Sequence, residues 1–238
     1  MKLQIANKEY SIVVVDDARA IPSSDMVGLD IETKPDTSLS ISSSDQKRHG
    51  IDPRLSKVAL AQVAIGNCVY VLHKNFGSLR SLLCSDTKKV IHVASFEFRY
   101  FFHHYGISIK NLIDTEILEG IVEAGRPSRK ISLKDVARKY LDETLEKGIR
   151  DEFVLGSKLS REMIEYAAKD AAVLCPIYEE QMKKAYPGMS RVTNLEFSLV
   201  SAVSRIELVG AAVDRRAWMK LNQKNLEQLD DVKSQIGR

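Results

Sequence analysis

Two acidic residues lie two positions apart in an alternating stretch near the N-terminus. Between Met26 and Thr33, apolar and small or acidic residues alternate, and this period of two predicts a β-strand. Asp30 and Glu32 then project from one face of the strand, roughly 7 Å apart. Like charges at that distance repel unless a cation neutralises them, and Mg²⁺ or Mn²⁺ prefers oxygen ligands. The stretch therefore predicts a metal site, with an exposed edge strand carrying two solvated acids as the alternative.

Two more acids lie in segments with helical patterns. Tyr166 and Asp170 are four positions apart, so they share one helical face, and Glu97 lies early in an aromatic-rich helix. Four acids that converge can hold two divalent cations about 3.5–4 Å apart, an arrangement suited to phosphodiester hydrolysis. The Tyr166 hydroxyl can then orient the attacking water. The alternative is that Tyr166 and Asp170 form an ordinary pair on a helix surface.

The elements around these residues predict an α/β fold in which helices cover a sheet. A hairpin comes first, and the Gly66-Asn67 turn joins two strands in an antiparallel arrangement with the acidic strand. Capping patterns at Ser132 and Ser160 open two later helices. The predicted strands are 3–5, 10–15, 26–33, 57–65, 68–73 and 89–93, with 111–115 as a short strand or a bend. The predicted helices are 77–83, 95–105, 115–122, 132–141, 160–185, 194–209 and 215–236.

The composition is that of an ordinary globular chain of 238 residues with a net charge of +3. This charge permits a polyanionic partner without requiring one. No apolar run approaches the length of a membrane span, and the N-terminus lacks the apolar core of a signal peptide. The scattered Cys68, Cys84 and Cys175 favour buried thiols in a reducing compartment over disulfides or zinc ligands. We expect an intracellular protein, cytoplasmic if bacterial or phage, with an organelle as the alternative in a eukaryote.

Three acidic motifs resemble those of the DEDDy 3′→5′ exonucleases. They are Asp30-Ile31-Glu32, Glu97 with the preceding His92-Val93-Ala94-Ser95-Phe96, and Tyr166-Ala167-Ala168-Lys169-Asp170. The connecting segments resemble, in the same order, proofreading domains of family A DNA polymerases and RNase D; they include Gly50–Arg54, Leu60–Ala64, Asn111–Thr115, Ser132–Ala137 and Leu145–Lys147. The resemblance covers about residues 1–187. It implies an RNase H-like mixed sheet flanked by helices.

The C-terminal segment distinguishes the two branches of this family. Asn194–Leu199 and Arg205–Asp214 are similar to the segment that joins the exonuclease domain to the thumb in family A polymerases. RNase D would carry helical nucleic-acid-binding domains there. We therefore expect an exonuclease domain over 1–187 and a helical segment over 188–238 that begins a polymerase domain. The chain is interpreted as the proofreading portion of a DNA polymerase, with that polymerase domain as its partner in the parent chain.

The resemblance also implies residue roles. Asp30 would bridge two Mg²⁺ or Mn²⁺ ions, Glu32 and Asp170 would complete one of them, and Glu97 would act through water on the second. Tyr166 would orient the attacking water, and the substrate would be an unpaired, single-stranded 3′ end of DNA. Candidates for stacking on it are Phe96 and Phe98, and candidates for phosphate contacts are Arg54, Lys130, Lys134 and Lys147. For each of these six residues, a core aromatic or a solvated surface cation is at least as good an interpretation.

The sequence departs from the family at two positions. Val93 stands where the family usually has Asn, and Glu97 stands where it usually has Asp, which moves the carboxylate by about 1.5 Å unless the helix adjusts. Two alternatives stay open beside the proofreading enzyme. One is an RNA 3′-end processing exonuclease like RNase D. The other is a catalytically degenerate domain that binds DNA as a scaffold without hydrolysing it.

Overall fold

The computed structural model describes residues 1–6, 8–39, 50–123, 131–145, 153 and 159–236. Within these residues seven strands form one sheet in the order β1-β2-β5-β4-β3-β6-β7. The strands are β1 (Lys2–Ile5), β2 (Lys8–Val15), β3 (Met26–Pro35), β4 (Ser56–Ile65), β5 (Cys68–Leu72), β6 (Lys88–Ile91) and β7 (Leu112–Asp114). Strands β3, β4 and β5 pair antiparallel, whereas β3, β6 and β7 pair parallel. The predicted mixed sheet with an antiparallel beginning is confirmed.

Helices flank both faces of the sheet, as predicted. They are α1 (Arg80–Leu83), α2 (Ser95–Tyr105), α3 (Thr115–Val122), α4 (Leu133–Leu141), α5 (Arg161–Met182), α6 (Met189–Val209) and α7 (Arg215–Ile236). One core cluster joins Val27, Leu29 and Ile31 of β3 to the aromatic residues of α2. A second cluster joins the opposite face of the sheet to the alanines of α5. Strand β3 is thus covered on both sides, which excludes the exposed edge strand as its environment.

Gly28 allows α5 to approach β3 closely. A Cβ atom at Gly28 would lie 2.5 Å from the backbone oxygen of Ala171, closer than real Cβ contacts permit. Ala167, Ala168 and Ala171 are fully buried on the same side. The small residues of both elements therefore set the distance between the strand that carries Asp30 and the helix that carries Asp170.

Several predicted boundaries and environments differ from the structure. Strand β6 ends at Ile91 instead of Val93, because Val93 adopts a left-handed backbone conformation with φ of 65° that cannot continue a strand. Helix α6 begins at Met189, five residues before the predicted start at Asn194. The three cysteines are free but only partly buried, so the expectation of buried thiols is met in part.

The chain divides into two compact units, Met1–Arg205 and Ile206–Arg238. The first contains the sheet and all three hydrophobic core clusters. The second contains α7, which has no buried residue. The predicted domain boundary at residue 187 stays a prediction. None of the helices in the described ranges is long and apolar enough to cross a membrane.

Candidate active site

Three carboxylates meet between β3 and α5. Oxygen atoms of Asp30, Glu32 and Asp170 all lie within 4.8 Å of one another. Glu32 is buried, while Asp30 and Asp170 are partly buried. Three negative charges held this close in a partly desolvated position are unfavourable without a cation. Their oxygen atoms are the donors that a hard divalent cation takes, so the donor set fits Mg²⁺ or Mn²⁺.

Local structure explains why these side chains converge. Gly28, Asp30 and Glu32 alternate onto the α5 face of β3, and the β3–β4 register shifts between Glu32 and Thr33. Such a bulge interrupts the alternation of side chains between the two faces of β3 and changes the direction in which the neighbouring side chains project. On α5 the side chain of Ser160 accepts a hydrogen bond from the Met163 backbone N–H and caps the helix, as predicted.

Glu97 of α2 lines the same cavity as the three acids. It is in the first turn of α2, is 2% exposed and lines the cavity, but it is not part of the three-acid cluster. The cavity has a volume of about 480 Å³. Tyr166 also lines it, one helical turn before Asp170. The structure thus brings all five predicted catalytic side chains to one cavity, with three of the four acids in direct proximity.

Asp114 holds the elements that carry Glu97. Its carboxylate accepts hydrogen bonds from the backbone N–H groups of Val93 and Ala94, which precede α2. It also accepts from Glu116 and Ile117 and so caps α3. Asp114 therefore joins the N-termini of two helices beside the cavity.

Several residues that sequence reasoning missed also line the cavity. Arg99 brings a cation and Glu116 a fifth carboxylate, and Ile131 and Leu133 add apolar surface. Burial, with a contribution from Asp114, raises the pKa of Glu116. Arg99 could have been found from the sequence, because it is three positions after Phe96 on a helix and so shares its face. Glu116, Ile131 and Leu133 carry no such local signal.

His92 ties the end of β6 to the wall formed by residues 131–133. Its Nε2–H donates to the carbonyl oxygen of Ile131 at 3.1 Å, and its Nδ1 lies 2.9 Å from the Thr115 hydroxyl. Burial lowers the pKa of His92 and favours the neutral ring. The histidine thus contributes to the position of the wall, and the candidate metal-binding group found in the described residues, Asp30, Glu32 and Asp170, does not include it.

The predicted substrate contacts have different positions. Phe96 lines the cavity, with its ring centre 4.8 Å from that of Tyr100, whereas Phe98 is fully buried in the core. Arg54 forms a bidentate ion pair with Asp52 and is not among the residues that line the cavity. Lys134 is partly buried on α4. Lys130 and Lys147 lie outside the described residues.

A larger cavity, of about 850 Å³, lies away from the acids. It is bordered by β7, the end of α5 and the first part of α6, and among the described residues that line it only Lys88 is charged. None of the described residues that line it is an acid or a histidine, so it lacks the carboxylate oxygens that a hard divalent cation prefers. The smaller cavity with the converging acids is therefore the candidate active site.

Comparisons with known proteins give matches to a family model and to solved structures. A family model described as 3′-5′ exonuclease matches residues 14–185, which is more than half of the chain. Among curated proteins, no sequence matches significantly.

Solved structures of similar fold include two of NrnC from Brucella melitensis. One, bound to pGG, is 19% identical with a TM-score of 0.69 and covers 86% of this chain and 98% of that one. Another, with bound Mg²⁺, is 18% identical with a TM-score of 0.65 and covers 86% and 96%. RNase D from Trypanosoma brucei is 16% identical with a TM-score of 0.62 and covers 80% and 72%. These similarities show an RNase H-like exonuclease fold.

Proposed function

The chain belongs to the 3′-5′ exonuclease family, and we propose that it removes nucleotides one at a time from free, single-stranded 3′ ends of nucleic acid. The observation that carries this proposal is the convergence of Asp30, Glu32 and Asp170 on a cavity that Glu97 and Tyr166 complete. Members of this family use divalent cations, which activate water and stabilise the charge that develops on the phosphate.

Each of these residues has a proposed task. Asp30, Glu32 and Asp170 would hold the cation cluster, and Glu97, which lines the same cavity, would act on it through water. The Tyr166 hydroxyl would orient the attacking water by a hydrogen bond. Phe96 offers an aromatic face for the terminal base, and such stacking does not depend on base identity. A cavity of about 480 Å³ is within the range of small-ligand sites and suits one terminal nucleotide.

DNA is the substrate that the sequence motifs favour. Residues 194–214 are similar to the segment that leads into the polymerase domain of family A DNA polymerases, where a 3′→5′ exonuclease removes mismatched nucleotides. This supports a proofreading role with a polymerase domain as partner. The finer assignment is a proposal, because the family match itself extends only to residue 185.

RNA is the second candidate substrate. Two of the structural neighbours are an RNase D and an NrnC bound to pGG, and this observation favours an RNA 3′-end processing exonuclease. The third candidate is a scaffold that binds nucleic acid without hydrolysing it, motivated by Val93 and Glu97. The same experiment separates all three.

The experiment is digestion of 5′-labelled single-stranded DNA and RNA of identical sequence with Mg²⁺ or Mn²⁺. We expect a ladder of 3′-shortened products from the wild type and a rate at least about 10³-fold lower for Asp30→Asn and Glu97→Ala, because transition-state stabilisation is lost. Glu180→Gln, which alters an exposed ion pair on α5, should keep the wild-type rate. The ratio of DNA to RNA rates assigns the substrate. A folded wild type that binds both oligonucleotides and shortens neither would contradict the proposal.

A further inference from the structure

A fully buried glutamine on β4 has an unusual environment. Gln62 is 0% exposed, and neither Oε1 nor Nε2 of its side chain has a hydrogen-bond partner in the described part of the chain. An unsatisfied buried polar group costs about 1–3 kcal/mol. A requirement for stability alone would therefore favour an apolar residue of the same size at this position.

Gln62 lies directly beside the candidate metal site. In the antiparallel β3–β4 pair Gln62 is opposite Asp30, and the next pairs on this face are Gly28 with Ala64 and Glu32 with Leu60. Opposite residues project from the same face of the sheet with Cβ atoms about 4.5–5.5 Å apart. The amide of Gln62 is therefore within hydrogen-bonding reach of the Asp30 carboxylate, underneath α5.

The second fully buried glutamine has a different environment. Gln181 of α5 is also 0% exposed, but its Nε2 donates at 2.9 Å to the carbonyl oxygen of Thr115 and at 2.9 Å to Glu119. These bonds join α5 to α3, away from the three-acid cluster. Gln181 has an evident structural role, whereas the described structure gives no such role to Gln62.

We propose that Gln62 is a positioning residue for Asp30: its Nε2–H donates to the Asp30 carboxylate when the cation site is filled and holds that carboxylate toward Glu32 and Asp170. This inference rests on the proposed function. A carboxylate that binds a cation through one oxygen retains acceptor capacity on the other, and an amide N–H fits it. Gln62 cannot contact substrate, since it is fully buried. The unpaired amide of Gln62 therefore lowers the stability of the metal-free protein, and this destabilisation is removed when the cation binds and the amide donates to Asp30.

The test is Gln62→Met, which keeps the volume and removes the amide. We expect the melting temperature of the metal-free protein to rise by about 2–4 °C, because an unsatisfied polar group is replaced by an apolar one. Mn²⁺ affinity, measured by isothermal titration calorimetry, should fall about 10–100-fold, as it does when a group that orients a metal ligand is removed. Nuclease kcat should fall while KM for the oligonucleotide stays unchanged.

Gln181→Met is the matched control. Removing its amide breaks hydrogen bonds within the folded protein, so we expect a lower melting temperature with unchanged Mn²⁺ affinity. If Gln62→Met lowers the melting temperature of the metal-free protein, or leaves Mn²⁺ affinity at the wild-type value, the inference is overturned. A wild type that binds Mn²⁺ but cleaves neither DNA nor RNA would instead overturn the proposed function, and calorimetry on Gln62→Met would still decide the role of the glutamine.

Discussion

The backbone conformation of Val93 explains why Asn suits this position of the motif. It has φ of 65°, a conformation that costs roughly 1–2 kcal/mol for most L-residues and is especially unfavourable for a β-branched one. Asn tolerates this conformation better, and Asn is the residue that the family usually has here. The backbone at this position thus makes a left-handed turn between β6 and α2, and a side chain that tolerates this conformation is favoured there.

Replacing Val93 with Asn should therefore stabilise the protein. We expect Val93→Asn to raise the free energy of unfolding by about 1 kcal/mol, measured by urea denaturation of the metal-free protein. The control is Val13→Asn on β2, because Val13 is 40% exposed and Val93 is 36% exposed. Asn has a lower strand propensity than Val, so this substitution should lower the free energy of unfolding. A decrease for Val93→Asn would show that the side chain of Val93 matters more than its backbone.

At the scale of elements, the contact between β3 and α5 sets the site. Gly28→Ala places a methyl group 2.5 Å from the Ala171 oxygen, so α5 must move and carry Asp170 away from Asp30. We expect a loss of about 2 kcal/mol or more in the free energy of unfolding and about 10²-fold in nuclease rate. Gly120→Ala in α3 is the control, since nothing lies within 4 Å of its added Cβ and the helix should gain about 0.5–1 kcal/mol. Equal effects of the two substitutions would refute the role of close packing.

Strand β6 contains a fully buried lysine with a testable pH dependence. Lys89 donates to the Ser85 carbonyl oxygen at 2.8 Å, and burial lowers its pKa from 10.5 to about 8. Between pH 8 and pH 10.5 the Lys89 amine is protonated in the unfolded chain but largely neutral in the folded protein. The free energy of unfolding therefore increases as pH rises through this interval. Below pH 8 both states are protonated, and the folded state carries the full cost of the buried charge.

The measurement compares wild type and Lys89→Met by urea unfolding at about pH 7.5 and about pH 10. We expect the wild type to gain about 1–3 kcal/mol relative to Lys89→Met over this interval. Lys88→Met, at the exposed neighbouring position of the same strand, should show no such relative change. Parallel pH curves for wild type and Lys89→Met would contradict the lowered pKa.

For the whole molecule, the division into two units predicts that the first is independently stable. All three core clusters lie within Met1–Arg205, and α7 has no buried residue. A chain that ends at Arg205 should keep its melting temperature within a few degrees and retain metal-dependent cleavage. Scanning calorimetry and the oligonucleotide assay check this. Loss of cooperative unfolding in the shortened chain would show that Ile206–Arg238 is needed for the fold.

Exposed apolar residues recur along α7, among them Trp218, Leu221, Leu229 and Ile236. Five apolar residues form a stripe at helical spacing, namely Leu221, Leu226, Leu229, Val232 and Ile236. We interpret this stripe as a packing face for parts of a polymerase, with a coiled coil as the alternative, and nothing in the described structure tests this interpretation. Removing the stripe in the shortened chain should also reduce nonspecific association, because contiguous apolar surface promotes it.

Features that depend on local interactions could be predicted from the order of residues alone. The period-two pattern of β3 placed Asp30 and Glu32 on one face, and the patterns of α2 and α4 predicted Ser95–Tyr105 and an end at Leu141, as observed. Capping signals fix such helix boundaries because their hydrogen bonds lie within a few residues of each other. The order of the acidic motifs predicted the family for the same reason, since each motif is a short contiguous segment.

Contacts between residues from distant segments became known only from the folded chain. It paired Gln62 with Asp30, brought Glu116 and Leu133 into the cavity, and tied His92 to Ile131. It also showed that Val93 turns instead of continuing β6, because a left-handed residue between two elements has no sequence signal when a valine occupies it. Such contacts depend on strand order and helix packing, which arise from burial over the whole sheet and not from the spacing of neighbouring residues.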